Sequence, residues 1–174
     1  MAIKDKHSIH STLRENIIEH LFAGEILRSL WQKEIVDAEI LKSEFDAGGY
    51  DLVLTCRHVT RHIQLKVSIE NGARAEVGVN LRLAEKPSGC VIWIVVDDAL
   101  NFREFRWFGD VPGQPLPDVS EMNVVKHTKG NAQGVKAERS GHRSIKRNKF
   151  TSLKNFDNLR HHLLGNEIFQ QESV

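Results

Sequence analysis

Residues 90–96 read Cys-Val-Ile-Trp-Ile-Val-Val, seven apolar side chains in succession, most of them β-branched. A strand alternates its side chains between two faces, so a run with no polar position has no face to offer to water. Such a segment belongs inside a sheet that is covered on both sides. A chain of 174 residues is long enough to supply both covers around one core. The expectation is an α/β fold, a central mixed β-sheet flanked by helices, in a single domain over 1–174.

The other elements order themselves around that strand. Over residues 12–33, Ile17, Ile18, Leu21, Phe22, Ile26, Leu27, Leu30 and Trp31 recur at three- and four-residue intervals, which predicts a long helix whose wide apolar stripe is largely buried. Thr12 and Glu15 have capping-box spacing at its start. Residues 38–45 and 50–56 read as strands separated by the turn Ala47-Gly48-Gly49. After a polar turn over 57–61, residues 62–68 alternate polar and apolar, so Gln64, Lys66 and Ser68 share one face while Ile63, Leu65 and Val67 share the other. A short helix is expected over 80–86, a strand over 102–108, and an irregular stretch over 109–117, which holds three of the four prolines. A C-terminal helix is expected at about 150–164.

Overall charge says little about partners, with 24 basic side chains against 23 acidic ones. Its distribution says more. Lys126, Lys129, Lys136, Arg139, Arg143, Lys146, Arg147 and Lys149 stand against the single acid Glu138, a local excess of seven positive charges. Interleaved glycines, Asn131, Gln133, His127 and His142 suit an irregular basic segment at about 126–149 that lies along phosphates. The plainer reading is a solvated loop. Cys56 and Cys90 lie in apolar runs without close pairing and read as reduced core residues. Trp93, Trp107 and Phe108 read as core before they read as base-stacking groups. His58 and His62 flank a turn, where their spacing does not make a zinc site. Residues 1–10 lack the apolar stretch of a secretion signal, and no later run approaches the ~20 apolar residues of a membrane span. A cytoplasmic protein with no membrane partner is expected.

The segment Gly49-Tyr50-Asp51-Leu52-Val53, followed thirteen residues after the aspartate by Gln64-Leu65-Lys66, resembles the active-site signature of the PD-(D/E)XK nuclease superfamily, with Gln64 in place of the usual acidic residue. The resemblance spans about residues 12–96. It implies a restriction endonuclease-like core of helix, three antiparallel strands, helix and strand. It also implies a Mg²⁺ or Mn²⁺ ion held by Asp51, Gln64 and the Leu65 carbonyl and completed by a helix glutamate. Glu19 is the choice for that glutamate, because Glu15 is committed to the cap. Lys66 would orient the nucleophilic water or stabilise developing negative charge. The implied activity is hydrolysis of DNA phosphodiesters in defence, restriction, recombination or repair, by a homodimer or with a further protein subunit. A hard cation suits that chemistry because it neutralises phosphate charge and lowers the pKa of an attacking water. Gln64 removes one negative charge from such a site. A catalytically inactive nuclease-fold module that binds nucleic acid or a protein partner is therefore the alternative expectation.

Overall fold

The computed structural model describes residues 3–45, 47–127 and 136–170. Two helices lead, α1 (Ile3–Ile9) and α2 (Ser11–Trp31). Nine strands follow: β1 (Ala38–Lys42), β2 (Leu52–Cys56), β3 (Val59–Ile69), β4 (Glu76–Asn80), β5 (Gly89–Val96), β6 (Phe102–Gly109), β7 (Val124–Lys126), β8 (Glu138–Lys146) and β9 (Thr151–Leu153). The helix α3 (Phe156–Leu164) comes after them. Six strands form a mixed sheet in the order β1-β2-β3-β5-β6-β9, and three form a second sheet in the order β4-β8-β7. Every residue of β5 is buried, as its composition requires.

The main sheet has two differently built faces. On one, Leu52, Leu54, Ile63, Val67, Ile92 and Ile94 pack against Ile18, Phe22, Ile26 and Leu30 of α2 and Leu159 and Leu163 of α3. On the other, Val91, Trp93 and Phe108 lie beneath Val77, Val79, Leu83, Ile145 and Phe150, which come from the second sheet and its connections. The pair β3–β5 is parallel, so the chain must cross over a face between them, a connection usually made by a helix. Here β4 and the 3-10 turn Leu81–Leu83 make it. The helix expected over 80–86 is accordingly absent. Val77 and Val79 bury on alternate positions with a period of two, and the Asn80 side chain accepts from Arg82 N–H at 3.1 Å, tightening the chain into a 3-10 turn just before Pro87.

Four further expectations are corrected. α1 runs almost directly into α2, so the residue before α2 is His10, which makes no side-chain cap bond; Thr12 sits within the helix, and the Glu15 carboxylate lies 3.7 Å from Arg14. The reversal before β3 is confined to Arg57 and His58, with Arg57 at φ 50°. The basic stretch 126–149 is not irregular where it is described, since β8 runs through it in register with β4 and β7. The last helix starts at Phe156, after β9, where the Asn155 side chain accepts from Asn158 N–H at 2.9 Å. In addition, only half of the apolar stripe of α2 is buried; Ile17, Leu21, Leu27 and Trp31 face away from the sheet.

One buried cation joins distant parts. Arg61 on β3 is fully buried, and its guanidinium donates to the main-chain oxygens of Leu163 (2.7 Å), His162 (2.9 Å) and Asp110 (2.7 Å) while lying 5.2 Å from the Trp107 ring centre. Two of those oxygens belong to the last turn of α3, the negative end of its dipole. Among the described residues no helix is long and apolar enough to cross a membrane.

Candidate functional site

The start of β2 and the middle of β3 bring Asp51 and Gln64 together. The registered pairing of these antiparallel strands ends at Leu52 opposite Ile63, and Asp51 enters β2 against the main chain of residues 63–65 of β3. Two hydrogen bonds fix the aspartate. Its N–H donates to Ile63 O at 2.8 Å, and its Oδ2 accepts from Leu65 N–H at 2.6 Å. In a strand the N–H and C=O of one residue point to the same side, so the Leu65 carbonyl is directed beside the Asp51 carboxylate.

A tight turn makes this approach feasible. Gly49 adopts φ +75°, and a Cβ there would lie 2.9 Å from Leu83 N. Arg82 donates to Ala47 O at 2.8 Å from the same neighbouring turn. The second sheet thus braces the loop that delivers Asp51.

Gln64 is 3% exposed, and among the described residues its Oε1 is buried without a hydrogen-bond partner. Such atoms are rare in folded proteins and call for an explanation. Lys66, two residues on, opposes Trp93 on the face that carries Gln64. From there a row crosses four strands in register, Lys66, Trp93, Arg106 and Ser152. Arg106 lies 4.9 Å from the Trp93 ring centre and is clamped by Glu104 at 2.7 and 2.6 Å, and Ser152 donates to the same carboxylate at 3.1 Å. These bonds, Arg106 foremost, hold the Glu104 carboxyl below the ordinary glutamate range.

Glu19 is not brought into this group. Its carboxylate is paired with Lys42 on β1 at 2.7 Å, and Lys42 stands opposite Leu52, whose side chain belongs to the face under α2. Gln64 and Lys66 occupy the other face. Among the described residues no three His, Cys, Asp or Glu side chains converge as a metal cluster, so this group would draw on amide and main-chain oxygens.

The basic residues divide. Lys126, Lys136, Arg139 and Lys146 are exposed on or beside β7 and β8, whereas Arg143 donates to Ser120 O and Ser140 O, and Arg147 donates to Arg74 O and reaches over the Trp93 ring. Lys129 lies outside the described residues. The structure adds three neighbours that sequence reasoning missed. Tyr50 meets His62 edge-on with ring centres 5.0 Å apart, and Lys86 Nζ lies 5.5 Å from the Tyr50 ring centre. Burial first, and the Lys86 charge second, push the His62 pKa down. The alternation of β3 already placed His62 on the Gln64 face, which was the available signal. No protein-family model matches the chain, and no curated protein matches it.

Proposed function

We propose that this chain is a metal-dependent nuclease with a restriction endonuclease-like core, hydrolysing DNA phosphodiesters at the junction of β2 and β3, with Asp51, Gln64 and the Leu65 carbonyl as ligands of Mg²⁺ or Mn²⁺. The observation that carries this reading is the buried, unpartnered Gln64 Oε1, next in the chain to Leu65, whose N–H the Asp51 carboxylate accepts. An unsatisfied buried acceptor costs about 1–3 kcal/mol. A hard cation accepts carboxylate, amide and main-chain oxygens together, which accounts for that cost.

When bound, the ion would neutralise phosphate charge and lower the pKa of a bound water. Asp51 is already oriented by the Leu65 N–H, so it needs little rearrangement to serve. Lys66 offers a positive charge on the Gln64 face, one strand repeat of about 7 Å away, where it would stabilise negative charge on a phosphate. Exposed Lys126, Lys136, Arg139 and Lys146 would neutralise phosphates further along the strand. Glu19 enters only if its ion pair with Lys42 opens. Buried, unpaired Cys56 and Cys90 suit a reducing, cytoplasmic setting.

The test is cleavage of supercoiled, linear and branched DNA with Mg²⁺, Mn²⁺ or EDTA, alongside Asp51→Ala, Lys66→Ala and Glu19→Ala. Cutting that requires metal and disappears in Asp51→Ala and Lys66→Ala is the expected result. The Glu19–Lys42 pair, together with an amide at position 64, favours a second reading, a nuclease-fold module that binds nucleic acid or a protein partner without turnover. Absence of cutting under every metal condition, with no Mn²⁺ binding that depends on Asp51, would replace the first reading with the second.

A further inference from the structure

α2 carries two apolar stripes, and the fold buries only one. At 3.6 residues per turn, Ile18, Phe22, Ile26 and Leu30 centre on the sheet side, while Leu13, Ile17, Leu21, Gly24, Leu27 and Trp31 lie in an arc of about 120° centred directly opposite, which they share with His20 and Arg28. The outer residues are exposed by 57% (Leu13), 37% (Ile17), 47% (Leu21), 39% (Leu27) and 72% (Trp31). A surface helix normally turns polar residues to that side.

Gly24 lies in the middle of the outer stripe. A glycine inside a helix costs about 1 kcal/mol relative to alanine, and nothing among the described residues requires one here. Its φ is not among the positive values, and a Cβ added to it would meet nothing within 4 Å. The close approach of a second helix does require a small residue at the crossing.

We propose that the outer face of α2 is the contact surface of a two-fold homodimer, in which α2 packs antiparallel against α2 of a second copy with Gly24 at the axis. The inference stands independently of the nuclease reading. A second copy is chosen because the stripe is symmetric about Gly24. Ile17 and Trp31 lie seven residues to either side of it, and Leu21 and Leu27 three. A two-fold axis there puts Ile17 of one copy in the same layer as Trp31 of the other, and Leu21 in the same layer as Leu27, which is the self-complementarity an isologous contact demands. The spacing of Leu13, Ile17, His20, Gly24, Leu27 and Trp31 alternates four and three, the seam of a helix pair. Glu25 and Arg28, paired at 2.7 Å within one copy, neutralise each other on the flank beside the axis. The stripe exposes on the order of 500 Å² of apolar surface, so two copies would bury about 1,000 Å², the lower bound for a specific interface.

Sedimentation equilibrium of the full chain from low to high micromolar concentration should show a reversible dimer. Trp31→Glu and Ile17→Glu should sediment as monomers throughout, with circular dichroism unchanged and an unfolding midpoint that matches the unaltered chain at dilution and no longer rises with concentration. Leu41→Glu, at an exposed apolar site on β1, should remain dimeric. Since Cys56 and Cys90 are buried, Gly24→Cys introduces one accessible thiol, and oxidation should link it to its own copy. Leu13→Cys should not link, because its two copies would stand about 33 Å apart along the paired helices. A monomer at every concentration would overturn the proposal, as would a dimer that survives Trp31→Glu. Equal linking of Leu13→Cys and Gly24→Cys would do the same.

Discussion

Under α2 the main sheet presents Leu52, Leu54, Ile63, Ile92 and Ile94, which pack into an apolar cluster beside the buried Arg61 opposite Leu54. Across the thickness of the same strands, Gln64, Lys66, Ser68, Glu104, Arg106 and Ser152 share the opposite face with Val91 and Trp93. Apart from Arg61, the first face needs volume and hydrophobicity, and area removed from water supplies its stability. The second is costlier to bury, because each polar group taken from water must find a partner. Most do: Trp93 Nε1 donates to Ser68 Oγ at 2.9 Å, and Arg106 is held by Glu104. Among the described residues, Gln64 Oε1, His62 Nδ1 and Arg106 Nη1 are the buried atoms of this face without one, and of these only Gln64 Oε1 is an amide oxygen. A fold that wanted only stability would put leucine at Gln64, which is why its oxygen, next to the residue that binds Asp51, points to function.

Three substitutions probe the contrast. The largest effect is expected for Phe22→Ala under α2, a loss of about 3–5 kcal/mol in denaturant unfolding, since the ring is fully buried and its neighbours are fixed by the sheet. A loss below about 1 kcal/mol would mean that this face is not the main source of stability. On the opposite face, Gln64→Leu removes a buried acceptor that has no donor. Stability should stay level or rise by about 1 kcal/mol, while calorimetric Mn²⁺ binding disappears. A clear fall in stability would show that the amide has a structural partner after all.

The smallest effect concerns Glu104. Its folded pKa lies below the ordinary value of 4.5, so the folded state favours its ionised form. The stabilisation is fully present above about pH 4.5 and fades as pH falls through the lowered folded value. Melting followed from neutral pH to about pH 3 should therefore show a shallower acid decline for Glu104→Gln than for the unaltered chain. Identical slopes would remove the Arg106 clamp from the account.

The strands of the main sheet were legible because their periodicity is local: the apolar run of β5 and the alternation of β3 allow only one placement. The second sheet was not. Val77, Val79 and Ile145 form its inner side, but β8 buries only Ile145 among nine residues, so its pairing with β4 is written in long-range register rather than in local pattern. Asp51 and Gln64 could be placed on adjacent strands from sequence, since hairpin register follows from alternation. Glu19 could not be placed, because Lys42, its partner, lies on a strand whose distance from α2 no helical period encodes. Nor does a wide apolar stripe say how much of a helix its own domain covers, which is how the outer half of α2 escaped notice.

Arg61 has a consequence for the order of folding. Its guanidinium donates at 3.4 Å to Ser88 Oγ, and its short bonds go to main-chain oxygens of Asp110 and of the end of α3, roughly fifty and one hundred residues downstream. Until those segments arrive, closing the β2–β3 hairpin into the core would leave the charge with the long Ser88 contact alone, which disfavours early settling of the first half of the chain during synthesis. Such distant closure slows folding and makes the passage cooperative. A chain cut before Phe156 should therefore remain open around β3 rather than form a smaller version of the same fold.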